Sequence, residues 1–163
     1  MVEINPPNRI KLTADFKTIF LAGSIEQDKA DDWQKRAIDM INENEEERTV
    51  IFNPRRKDYD AKQEQSMDNP YFWKQVNWEL DYIDLVDFVI MYFDPKTKSP
   101  ITLMELGYMA KTDNQRLVVV CPQGFWRKGN VDIICWRNNI PRASTLTDAV
   151  NYALHKLYGN KGS

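Results

Sequence analysis

Four short apolar runs, separated by stretches of helical spacing, constrain this chain more than any other feature. They are Thr-Ile-Phe-Leu-Ala-Gly at 18–23, Thr-Val-Ile-Phe at 49–52, Asp-Phe-Val-Ile-Met-Tyr-Phe at 87–93 and Arg-Leu-Val-Val-Val-Cys at 116–121. A strand that is apolar without alternation is buried on both faces, as happens in parallel sheets covered by helices. Between the runs, Trp33, Ala37, Ile38 and Ile41 mark a helix over 28–45, and Phe72, Val76, Leu80 and Ile83 give a helix at 70–84 one apolar face. Ser99-Pro100 supplies a serine cap and a first-turn proline for a helix over 100–112. Further helices are expected at 129–138 and from Thr145-Leu-Thr-Asp to near Gly159.

Strands alternating with helices predict an α/β fold, a doubly wound parallel sheet of about five strands in a single domain. The expected division is an N-terminal extension at 1–17, the domain at 18–158 and a small polar, disordered tail at 159–163. Residues 54–68 read as a long charged loop. Composition mainly excludes. The net charge of −2 gives no basis for binding a nucleic acid polymer. No apolar run reaches the ~20 residues of a membrane span, and the first residues lack the apolar core of a signal peptide. Cys121 and Cys135 lack metal-ligand spacing and His155 is the single histidine, so no metal is expected. Buried free thiols suit a cytoplasmic protein.

In open parallel sheets ligands bind beyond the carboxyl ends of the strands. The residues just after each run therefore form the candidate rim: Gly23, Ser24 and Ile25; Asn53, Pro54, Arg55 and Arg56; Asp94, Pro95, Lys98 and Ser99; Pro122, Gln123 and Gly124. Glycine patterns for a dinucleotide or triphosphate cradle do not occur. Glu105 stands out as a carboxylate among Ile101, Leu103, Met104, Leu106 and Met109. Helical side chains lean toward the N-terminus, which would aim it at the strand ends, and the helix N-terminus is expected to help keep it ionised. Gly107 and Ala110 nearby would allow close packing. Spacing alone equally allows a surface glutamate or a structural ion pair, and Glu79 reads equally as an exposed helix acid. The five tryptophans are expected to serve mostly as packing.

Several blocks carry a resemblance: Phe-Leu-Ala-Gly-Ser-Ile at 20–25, Phe-Asn-Pro-Arg-Arg at 52–56, Gln-Val-Asn-Trp-Glu at 75–79, Tyr-Phe-Asp-Pro at 92–95 and Ser-Pro-Ile-Thr-Leu-Met-Glu-Leu-Gly at 99–107. In this order and spacing the chain resembles the nucleoside 2-deoxyribosyltransferase family over roughly residues 18–137. The resemblance implies a flavodoxin-like, Rossmann-like sheet, a homodimer or higher homo-oligomer, and transfer of 2-deoxyribose between bases with retention. Deoxynucleosides and free nucleobases are the implied partners, and no cofactor is implied. The family nucleophile maps onto Glu105 and a second acid onto Glu79. A further family acid falls on Ser99, leaving Asp94 as a possible substitute, and a family tyrosine falls near Phe20. Asn130 and Asp132 match an asparagine that a neighbouring subunit lends to the sugar. The substrate-binding set is then Gly23, Ser24, Ile25, Asn53, Arg55, Ser99, Asn130 and Asp132, with Glu105, Glu79 and Asp94 catalytic.

Two other readings stay open. One is an N-glycosidase hydrolysing 2′-deoxynucleosides or their 5′-monophosphates, with Ser24, Arg55 and Ser99 on the phosphate. Glu26-Gln27-Asp28 speaks against this, because acids beside a phosphate are unfavourable. The other is a nucleotide-binding module without catalysis, which would need no nucleophile.

Overall fold

The computed structural model describes residues 1–26, 30–44, 48–58, 60 and 62–159. The expected tail at 160–163, the acidic run at 45–47, and Gln27 and Asp28 of the turn after the first apolar run lie outside the described residues.

The four runs become strands β2 (Lys17–Gly23), β3 (Thr49–Phe52), β4 (Phe88–Tyr92) and β5 (Leu117–Val120). Two further strands complete the sheet, β1 (Val2–Ile4) and β6 (Arg142–Ala143). All pairings are parallel and the order is β1-β3-β2-β4-β5-β6. Without β1 this is the flavodoxin-like order, second-first-third-fourth-fifth. The first residues are thus bonded into the sheet edge rather than hanging from it.

The helices are α1 (Trp33–Glu43), α2 (Pro70–Leu85), α3 (Pro100–Ala110), α4 (Lys128–Arg137) and α5 (Leu146–Tyr158). Successive strand residues point to opposite faces, so β2 feeds two cores. Phe20 and Ala22 pack with α2, α3 and α4, whereas Ile19 and Leu21 pack with α1 and α5. Asp32 caps α1 by accepting from Lys35 N–H, and Thr145 caps α5 by accepting from Asp148 N–H. Among the described residues no helix is long and apolar enough to cross a membrane.

Three sequence expectations change. The inward face of α2 is Gln75, Trp78, Tyr82 and Ile83, while Phe72, Val76 and Leu80 are only half-buried. Aromatic packing sets this rotation. Tyr82 stacks on Phe52 at 4.0 Å between ring centroids, and Trp78 lies 6.0 Å from Phe20. Turning that face inward carries Glu79 inward with it. Of the five tryptophans, Trp33 and Trp78 are buried, but Trp73, Trp126 and Trp136 are exposed. Gly107 packs against nothing: a methyl group there would meet no atom within 4 Å.

Gly23 is the glycine that the fold requires. A Cβ there would collide with the Tyr92 carbonyl and lie 2.6 Å from the Trp33 ring. Trp33 cannot retreat, because its indole donates to the Ser24 carbonyl at 3.1 Å and stacks on Tyr92. Gly23→Ala should therefore cost about 1–3 kcal/mol or more through overpacking. For a chain of this size that lowers Tm by roughly 5–10 °C, a loss that thermal denaturation reads directly. An unchanged Tm would refute the steric account.

Candidate active site

β2 is bonded to β3 on one side and β4 on the other, and the connecting helices leave on opposite faces. The crevice at such a switch point is where doubly wound sheets bind ligands. Here its walls are Gly23 and Ser24 after β2, the 93–99 turn after β4, and α3 behind that turn.

Glu105 lies two turns along α3, 8% exposed, with no hydrogen bond to its carboxylate among the described residues. Burial pushes it up to about 8, and the charge of Glu79 adds to the rise. Burial also raises Glu79, to about 7, against the pull of a hydrogen bond from Gln75. Both shifts have one physical origin: desolvation penalises the carboxylate, and a second carboxylate nearby penalises it again. At neutral pH the pair holds one proton between its two members. The expectation that the α3 N-terminus keeps Glu105 ionised is therefore reversed. That field fades within the first turn, and the amides that carry it already face another acid, Glu26.

Glu79 is held by a short relay. Gln75 Nε2 donates to Glu79 Oε1 at 2.7 Å, and Arg56 Nη1 donates to Gln75 Oε1 at 3.2 Å. The guanidinium is itself fixed by Asp58 at 2.8 Å. The relay settles which way the Gln75 amide faces and leaves Glu79 Oε2 as the oxygen that can carry the proton. Gln75 and Glu79 sit four residues apart on one helix, so their contact was readable from spacing. Arg56 was not, because a loop delivers it.

A second cluster gathers Ser24, Asp94, Thr97 and Ser99, all buried. Ser99 takes the cap position of α3 but does not cap it. Its backbone is left-handed, with φ 45° and ψ 53°, and its hydroxyl turns instead to Ser24 and Thr97. The hydroxyls close on themselves: Asp94 N–H donates to Ser24 Oγ, and Thr97 Oγ1 donates to the Asp94 carbonyl. With Ser24 donating to Ser99 and Ser99 to Thr97, every proton of the ring is engaged. The Asp94 carboxylate accepts from Asp31 N–H and Lys96 N–H, both at 2.9 Å. That geometry tethers two loops and gives no proton-donating role, so Asp94 does not serve as the substitute acid.

The remaining rim residues are likewise fastened. Asn53 accepts from Arg55 N–H and donates to Glu3. Arg55 donates to Gln34 Oε1 and to the Asp31 carbonyl. Asp132 pairs with Lys128 and Arg142, and Asn130 is exposed on α4. Ile25 is half-buried next to Glu26. The structure thus brings Glu105 and Glu79 together, groups Ser24, Asp94 and Ser99 beside them, and leaves Asn130 and Asp132 on a separate helix. Residues that sequence reading missed are Gln75, Arg56 and Thr97, none of which carries a signal in its own type.

A doubly wound parallel sheet with two coupled carboxyls beside its switch point defines an α/β protein built for acid and carboxylate chemistry on a small ligand. A family model described as nucleoside 2-deoxyribosyltransferase-like matches residues 16–125. The chain belongs to that family. The matched span holds β2 to β5 and both glutamates. A comparison with curated proteins finds no match.

Proposed function

We propose that this protein is a nucleoside 2-deoxyribosyltransferase that exchanges the base of 2′-deoxynucleosides through a deoxyribosyl ester on Glu105. The observation that carries the reading is the pair itself: two inward carboxyls, raised by burial and by each other, sharing one proton. Glu105 Oε attacks C1′ from the face opposite the base as the C1′–N bond breaks. The proton of the pair goes to the departing nitrogen through Glu79 Oε2, which leaves Glu105 the anion that attack requires. An incoming base reverses both steps, so configuration at C1′ is retained. Without a 2′-hydroxyl the cationic transition state is easier to reach, which favours deoxy substrates. No step needs a metal or an organic cofactor.

The reading includes assembly through α3 and α4. Ile101, Met104 and Tyr108 on α3 and Ile133 and Trp136 on α4 are each about half exposed or more, on neighbouring helices. Large apolar side chains grouped this way mark interaction surfaces, and Gly107 in the same face would let a second backbone approach. Exposed Asn130 would then lie where a partner copy could use it. A cytoplasmic setting fits Cys121 and Cys135, free thiols that burial pushes up to about 11 and about 12.

The test is incubation with each deoxynucleoside, with and without a second free base, followed by chromatography of the products. A new nucleoside should form at the expense of free deoxyribose, and mass spectrometry should find one deoxyribosyl unit on the Glu105 peptide. Free sugar in unchanged yield whether or not acceptor is present would replace the transferase with a hydrolase. No base release from any deoxynucleoside would leave a binding module.

A further inference from the structure

Glu26 follows the Gly-Ser-Ile turn, yet its carboxylate lies at the start of α3, 72 and 73 residues further on. Its Oε1 accepts from the backbone N–H of Lys98 at 3.0 Å and of Ser99 at 2.9 Å. The left-handed backbone of Ser99 turns those successive amides toward one point, the geometry of an anion-binding nest. A nest opening a helix that follows a strand end suits a phosphate. Here a side chain of the protein already fills it.

The surroundings agree with a filled site. Ser24, Thr97 and Ser99 hold their protons within their own ring and offer none to a ligand oxygen. The nearest lysines are turned elsewhere: Lys96 Nζ toward Asp31 at 3.4 Å, and Lys98 Nζ over the Trp126 ring at 4.4 Å. Arg127 lies over the same ring, and the Trp126 indole donates to the Lys98 carbonyl. Cations are therefore present at this rim but parked off the nest.

Resting on the deoxyribosyl-transfer reading, we infer that Glu26 determines specificity: by occupying the α3 nest it confines the enzyme to substrates with an uncharged 5′ hydroxyl and excludes 5′-monophosphates. The dimensions allow it. Six residues of helix span about 9 Å, and the backward lean of Glu105 shortens the gap between an anomeric carbon there and the nest. A phosphate at the sugar's 5′ end would meet the Glu26 carboxylate at close range, without free donors to offset the repulsion.

The experiment compares wild type with Glu26→Ala and, as a second variant that keeps a polar side chain, Glu26→Ser. Thermal denaturation in inorganic phosphate is set against chloride at equal ionic strength. Relative kcat/KM is then measured for each deoxynucleoside and its 5′-monophosphate. The wild type should show no phosphate-specific shift in Tm and should prefer the nucleoside. Either variant should gain a phosphate-dependent rise in Tm and move the monophosphate-to-nucleoside ratio up at least tenfold. Wild type that is stabilised by phosphate, or that turns over monophosphates faster, overturns the inference. So do two folded variants with an unchanged phosphate response and ratio. The phosphate arm needs no turnover, so it still decides the role of Glu26 if base exchange itself is absent.

Discussion

Glu105→Gln should abolish base exchange, with kcat/KM falling about a thousandfold or more and the deoxyribosyl adduct disappearing from the intact protein's mass. The amide keeps the shape of the side chain but cannot form the ester, so the route through a covalent intermediate closes. Each tenfold loss corresponds to about 1.4 kcal/mol of transition-state stabilisation, and removing a nucleophile commonly costs several. Binding should survive, because Glu105 contacts the reacting carbon and little else of a nucleoside. Base exchange and equilibrium binding, measured on the same preparation, separate the two effects. A variant that retains a tenth of wild-type kcat/KM would remove Glu105 from the nucleophile's role.

The parts of the fold legible in the sequence were those with a repeating physical demand. β2 to β5 are buried on both faces, so each needs an unbroken apolar run, and each was readable from it. β1 and β6 have three and two residues, too few for any pattern. They exist because Val50 and Val119 on neighbouring strands present open backbone to Val2 and Arg142.

At the site, position was easier to read than role. Ser24, Asn53, Arg55, Asp94 and Ser99 all stand at strand ends as expected. Residue type says only that each can hydrogen-bond, not whether the partner is a ligand or the protein itself. The partners proved to be Ser99 and Thr97, Glu3, Gln34 and two loop amides, most of them far away in the chain. The contact of Glu26 with α3 is of the same kind. The raised carboxyls could not be read at all, since the turn of α2 that brings Glu79 inward is set by Trp78 and Tyr82 packing on Phe20 and Phe52.

The same Glu105→Gln substitution should make the protein more stable, and increasingly so as pH rises. Glu105 has an ordinary value of 4.5 when unfolded and about 8 when folded. Its folded value is raised, so between those limits the native state binds the proton that the unfolded chain releases. Stability is therefore complete below about pH 4.5 and is lost as pH climbs toward 8. The full difference would correspond to about 5 kcal/mol at about 1.4 kcal/mol per unit, and relaxation of the site on ionisation makes that an upper limit. Glutamine has no proton to lose and escapes the penalty. Wild type and variant should thus melt within a few degrees of each other at pH 5, while at pH 8.5 the variant should melt about 5–15 °C higher. Taking the difference at each pH cancels every other titrating group that the two proteins share. Equal Tm differences at both pH values would mean that the carboxyl is not held against its charge by burial. A gain confined to high pH, in a protein that no longer forms the ester, would identify Glu105 as a group kept at the expense of stability for the reaction it performs.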